Sequence, residues 1–182
     1  GKTILVKDAV EALYDLARHH RKNIEFPIVG VTGTVGKTTT TNLIHAVLST
    51  ELKTYGNNSR NNPQAVSRKI LNMPLDSQAA VLEMATIRPG ILASSCEIGR
   101  PTHGVITEVG LAHLDTFGDA ETIKRSKWEL FDFITQSGGT AFLNNNHPWL
   151  VKQAHRLENI VHYGSYEGVD VRGEIISADP FL

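Results

Sequence analysis

The stretch from residue 26 to residue 40 constrains the fold more than any other. Phe26-Pro-Ile-Val-Gly-Val31 is an apolar run of strand length, and it passes directly into Thr32-Gly-Thr-Val-Gly-Lys-Thr38. A buried strand that ends in Gly-x-x-Gly-Lys-Thr and then enters a helix is a phosphate cradle. Its glycines let backbone N–H groups turn toward an anion with no Cβ in the way. The first amides of the helix and its macrodipole add positive field at the same point. Lys37 is placed to reach the β- and γ-phosphates, and the Thr38 hydroxyl to hold Mg²⁺. A nucleoside triphosphate is therefore the expected ligand, held by Thr32, Gly33, Thr34, Val35, Gly36, Lys37, Thr38 and Thr39.

The loop departs from the common spelling. That pattern sets a first glycine five residues before the second, and here Val31 occupies the position. The loop is a shorter variant, Gly33-Thr-Val-Gly36-Lys37-Thr38. The bland alternative is a glycine-bearing strand-to-helix turn with a chance lysine.

Short apolar runs alternate with helical patterns along the rest of the chain. Strands are expected at 27–32, 53–55, 79–84, 104–107, 140–143 and 159–162, with a further extended segment within 169–176. Helices are expected at 8–20 with Asp8 as N-cap, at 37–49 and at 63–71. Three more should start at Pro89, after Asp119 and near Pro148. The basic stretch Arg18–Lys22 reads as a solvated helix end. The pattern predicts an α/β protein, a mostly parallel sheet with helices on both faces, in a single domain spanning 1–182. In such sheets ligands bind beyond the carboxyl ends of the strands. The phosphate loop, Glu83 and the segment after Thr107 all lie at such ends.

Composition narrows the class. A net charge of −1 argues against a nucleic-acid partner. The single Cys96 excludes an intramolecular disulfide and suits a reducing cytoplasm, and no apolar stretch has the length of a membrane span. Glu83 at a strand end suits a hard cation that takes oxygen ligands, against the bland reading of a surface salt bridge. His113 and Lys127 read, on their own, as a loop histidine and part of a solvated basic face. His147, His155 and His162 share no ligand-like spacing with Cys96 and read as structural or surface residues.

Four segments together resemble the central domain of the Mur ligases. They are Thr32-Gly-Thr-Val-Gly-Lys-Thr-Thr-Thr40, Val81-Leu-Glu-Met-Ala85, Ala112-His-Leu-Asp-Thr-Phe-Gly118 and Ser126-Lys-Trp-Glu-Leu-Phe131, with Thr140-Ala-Phe-Leu-Asn144 following. Within that family the wording is closest to the MurF type, which joins D-alanyl-D-alanine to a UDP-linked muramoyl tripeptide. The resemblance implies a P-loop NTPase-like central domain and an ATP-dependent carboxylate–amine ligase of cytoplasmic peptidoglycan synthesis. The substrate carboxylate would take the γ-phosphoryl group, and an amino acid or dipeptide would then attack the acyl phosphate. Two Mg²⁺ sites are implied, with Thr38 and Glu83 at the first, His113 and Lys127 at the second, and Lys127 carbamylated. Lys37, Lys127 and His113 would be the catalytic set. Positive charge from metal, Lys124 and Arg125 is expected to favour the neutral Lys127 amine.

The Asn57–Asn62 loop is similar to the family's substrate segment, which makes Asn61 and Asn62 candidates for the nucleotide-linked substrate. Glu108 stands where the family commonly has Asn, and Ile91 where a Glu is frequent. The family's N-terminal UDP-binding and C-terminal domains are not matched by this chain. It is therefore expected to bind ATP and to turn over weakly or not at all alone. Alternatives are a related ligase such as a folylpolyglutamate synthase-like enzyme, or a non-catalytic nucleotide-binding module. A guanine-nucleotide switch is disfavoured by the lack of Asn-Lys-x-Asp.

Overall fold

The structure, a computed structural model, describes residues 3–56, 61–110 and 114–176. Its centre is a seven-stranded sheet whose registered pairs are all parallel. The strands are β1 (Ile28–Thr32), β2 (Thr54–Gly56), β3 (Ala79–Glu83), β4 (His103–Ile106), β5 (Thr140–Asn144), β6 (Ile160–Gly164) and β7 (Val171–Arg172), in the order β2-β3-β1-β4-β5-β6-β7. The helices are α1 (Ala9–Arg21), α2 (Lys37–Leu48), α3 (Pro63–Leu71), α4 (Ile91–Gly99), α5 (Leu114–Phe117), α6 (Ala120–Gln136) and α7 (Pro148–Gln153).

Apolar alternation on the strands feeds two cores. On one face Ile28, Leu82, Ile106 and Leu143 meet Ala17, Val66, Ile70, Leu92, Ile98, Trp128 and Phe131 from the helices. On the other, Val31, Val81 and Val105 lie under Ile44 and Leu48 of α2. Both faces are thus covered, as expected for a parallel sheet. β1 lies between β3 and β4, so the chain switches direction across the sheet at β1, and the phosphate loop leaves its carboxyl end. That is where open α/β sheets form a binding crevice.

Local signals set several boundaries. Asp8 Oδ1 accepts from the amides of Val10 and Glu11 at 2.7 and 2.9 Å, and Asp119 Oδ1 accepts from Thr122 at 2.7 Å. These are N-caps, each closing an orphan turn.

Two expectations are corrected. Helix α4 does not begin at Pro89. Gly90 is its N-cap at φ 80°, and the Glu129 carboxylate of α6 accepts from Gly90 N and Ala93 N at 2.8 and 2.9 Å. The cap is thus supplied by another helix. The basic stretch 18–22 is not uniformly solvated, because Arg21 is buried. Its guanidinium donates to the carbonyls of Gly99 (2.8 Å), Arg100 (2.9 Å) and Ile24, closing the C-terminal end of α4 against α1. Burial and the neighbouring Arg100 lower the guanidinium's proton affinity.

Candidate active site

Two glycines shape the phosphate loop. Gly36 has φ 80° as N-cap of α2 and carries no capping side chain. Gly33 has φ 150°, and a Cβ there would lie 2.0 Å from Thr107 Oγ1. No other residue fits either position without strain. The first intrahelical bond of α2 runs from Thr40 N to Gly36 O at 2.9 Å, so the amides of Lys37, Thr38 and Thr39 have no helical acceptor. The helix start is therefore an array of donors with positive field and no cap.

The loop is braced from β4. Thr34 N donates to Glu108 O at 2.7 Å, and Thr107 Oγ1 donates to Val35 O at 2.6 Å. Thr32 is fully buried, and its Oγ1 finds no partner among the described residues. Val35 stands exposed at the tip.

A hydroxyl, a carboxylate and an amide meet beside the helix start. Thr38 Oγ1 donates to Glu83 Oε2 and Asn61 Nδ2 donates to Glu83 Oε1, both at 2.7 Å. Glu83 ends β3, is only 5% exposed, and faces Lys69 of α3 electrostatically. Burial lowers the Lys69 ammonium's proton affinity and Glu83 partly restores it. Glu83 is thus no surface salt-bridge residue. Asn62, by contrast, spends its Oδ1 on Ala65 N at 2.9 Å as the N-cap of α3, a role its spacing from the helical pattern could have revealed.

Two ammonium groups converge on the loop. Lys37 Nζ donates to Thr34 O at 3.0 Å, and Lys127 Nζ, from α6, donates to Gly33 O at 3.2 Å. Lys127 is 5% exposed, and burial, followed by the charge of Lys37, lowers its amine from 10.5 to about 8. The causes differ from expectation. Lys124 pairs with Glu121 at 2.6 Å and lies over the Trp149 ring, and Arg125 donates to Thr122 at 3.2 Å.

The Thr38–Glu83 pair is oxygen-rich and beside the phosphate cradle, which fits a hard cation bridging phosphates. Among the described residues no group of three or more His, Cys, Asp or Glu side chains could hold a metal ion. His113 and residues 57–60 lie outside the described residues. Sequence reading missed Glu108 as a brace, Asn61 as the partner of Glu83 and Glu129 as a cap. Only Asn61 carried a signal, the asparagine-rich loop.

No helix among the described residues is long and apolar enough to cross a membrane. Residues 31–181 match the family model of the Mur ligase middle domain. The chain is 37% identical to a UDP-N-acetylmuramoyl-tripeptide–D-alanyl-D-alanine ligase of Synechocystis sp., over 96% of this chain and 39% of the relative. It is 32% identical to the ligase of that name from Bacillus subtilis, over 78% of this chain and 31% of the relative. It therefore spans well under half the length of these relatives. Among solved structures, MurF ligase from Thermotoga maritima in complex with ADP superposes with a TM-score of 0.82 at 33% identity, over 93% of this chain and 41% of that one. With the parallel sheet, the short phosphate loop at β1 and the buried Glu83 and Lys127 beside it, the chain belongs to the Mur ligase middle domain family.

Proposed function

We propose that this chain is the ATP-binding domain of a ligase that joins D-alanyl-D-alanine to UDP-N-acetylmuramoyl-tripeptide. The observation that carries the reading is the convergence of Lys37, Lys127 and the Thr38–Glu83 pair on one uncapped helix start. Cations and free amides there offset the charge that develops on a transferring phosphoryl group. The curated ligases and the ADP-bound MurF relative support the choice of nucleotide and substrate.

The loop amides and Lys37 hold the β- and γ-phosphates. Thr38 and Glu83 would hold one Mg²⁺, and His113 with Lys127, as its carbamate, would hold a second. Bound Mg²⁺ supplies charge neutralisation and orientation of the phosphate oxygens. The chemistry proceeds in two steps. A carboxylate oxygen of the muramoyl peptide bonds to the γ-phosphorus as the bond to ADP breaks, giving an acyl phosphate. The amine of D-alanyl-D-alanine then attacks the acyl carbon, releases phosphate and loses a proton. Asn61, fixed on Glu83, would contact the nucleotide-linked substrate.

Carbamate formation joins the neutral Lys127 amine to CO₂ and releases a proton. An amine at about 8 is neutral for roughly a quarter of the time at pH 7.5, against about one part in a thousand at 10.5. The resulting anion suits its neighbour, since Lys37 then attracts it where it repelled the ammonium.

Calorimetric titration with Mg·ATP tests the reading. The wild-type chain should bind and Lys37→Ala should bind at least tenfold more weakly. ADP release with both substrates then tests the ligase step in the full-length enzyme. Equal binding by wild type and Lys37→Ala overturns the site assignment.

A further inference from the structure

Residues 107–110 leave β4 without regular structure and lie against the phosphate loop. Thr107 N donates to Thr32 O at 2.9 Å, Thr107 Oγ1 to Val35 O at 2.6 Å, and Thr34 N to Glu108 O at 2.7 Å. Thr34 Oγ1 and Gly110 bond reciprocally at 3.0 and 3.1 Å. Loop and segment are thus laced into one body. What ties that body to the neighbouring strand is the side chain of Glu108. Its Oε1 lies 3.2 Å from His147 Nε2, in the turn between β5 and α7. A weaker tie runs beside it, from Asn144 Nδ2 to Thr107 O at 3.5 Å.

The histidine is anchored at Nδ1 and meets the carboxylate at Nε2. Its Nδ1 accepts from Leu150 N at 3.4 Å as the N-cap of α7. An accepting Nδ1 carries no proton, so in the neutral ring Nε2 carries it and faces the Glu108 carboxylate at 3.2 Å. Glu108 is half-exposed at 52%, and an ion pair between two mobile surface groups would contribute little. His147 is not mobile: its side chain is 12% exposed and anchored to the helix start, so little ordering is needed to keep the contact.

We propose that Glu108 and His147 form a strut that positions the phosphate loop relative to the β5–α7 turn, and so act as positioning residues for the nucleotide. The two turns border the same crevice, at the carboxyl ends of β1 and β5 on either side of β4. A nucleotide gripped at the loop extends across those strand ends, so the spacing between the turns decides how well both ends of it are met. The inference rests on the loop being the nucleotide site.

Three variants separate the strut from a general structural role. Glu108→Ala removes it, Glu108→Gln keeps an oxygen acceptor for Nε2–H, and His147→Asn keeps a helix cap but is too short to reach residue 108. Two readouts apply: hydrogen exchange of the Thr34 amide in the nucleotide-free protein, and the Kd for Mg·ADP. Glu108→Ala and His147→Asn should each speed Thr34 exchange and weaken Mg·ADP by about two- to fivefold, the range of a partly exposed ion pair. Glu108→Gln should retain most of both, and the Glu108→Ala, His147→Asn double variant should be no worse than either single. Unchanged exchange and affinity in His147→Asn, or additive losses in the double variant, overturn the strut. A wild-type protein that binds no Mg·ADP overturns instead the nucleotide reading, and the exchange arm still decides the strut.

Discussion

Replacing Lys127 by methionine should stabilise this protein at neutral pH and destabilise it slightly in strong base. Lys127 is 5% exposed and shares the phosphate loop with Lys37, and its amine is lowered from 10.5 to about 8. The unfolded chain therefore holds the Lys127 proton more tightly than the folded one. Below about pH 8 both states are protonated, and the buried ammonium destabilises the fold by its full amount. Between 8 and 10.5 only the unfolded state carries the proton, so stability rises with pH until the penalty has gone. The difference between 10.5 and about 8 corresponds to about 3 kcal/mol, at about 1.36 kcal/mol per unit. Methionine removes that penalty at similar volume, but it leaves Gly33 O without its 3.2 Å donor, a loss of about 1 kcal/mol. The variant should be about 2 kcal/mol more stable than wild type at pH 7, and the advantage should have reversed by about pH 11. Urea unfolding of both proteins at pH 6 to 11 in CO₂-depleted buffer measures the difference, from which shared titrations cancel. A difference that stays flat across the range refutes the argument, because the amine would then ionise alike in both states.

Other consequences follow from single contacts. Glu83→Gln keeps the Asn61 and Thr38 neighbours but removes the anion, so it should weaken Mg²⁺-dependent ATP binding by more than tenfold and leave metal-free binding less affected, as read by titration with and without Mg²⁺. Gly33→Ala puts a Cβ 2.0 Å from Thr107 Oγ1, and overpacking of that kind costs about 1–3 kcal/mol, visible as a fall in Tm of several degrees. An unchanged Tm in that variant counts against the close packing of the loop on β4. Arg21→Lys should destabilise by about 2 kcal/mol in urea unfolding, because one ammonium cannot serve the three carbonyls that the planar guanidinium reaches.

Much of the architecture was readable before any coordinates. The caps at Asp8 and Asp119 were visible because a capping side chain bonds amides two or three residues away, within reach of a local pattern. The phosphate loop was equally local. The start of α4 was misread because Pro89 supplied a plausible signal, whereas the true cap, Glu129, comes from a helix 36 to 39 residues further along. Arg21 was misread for the same reason. A basic run looks solvated until its partners, the Gly99 and Arg100 carbonyls 78 and 79 residues away, are brought against it. Asn62 is the reverse case: the helix it caps was legible, and the cap itself went unread.

By itself, the sequence determined that a strand would run into a phosphate-binding turn and that a parallel sheet would surround it. Hydrophobic period and glycine placement act over a few residues and survive without the rest of the fold. Only the tertiary structure decided which charges meet there. It brought Glu83 to Thr38 across 45 positions and Lys127 to Gly33 across 94, and it selected Lys37, not Lys124 or Arg125, as the charge that helps burial hold the Lys127 amine near 8. Desolvation and charge–charge distance are properties of packed elements, and no local pattern along the chain encodes them.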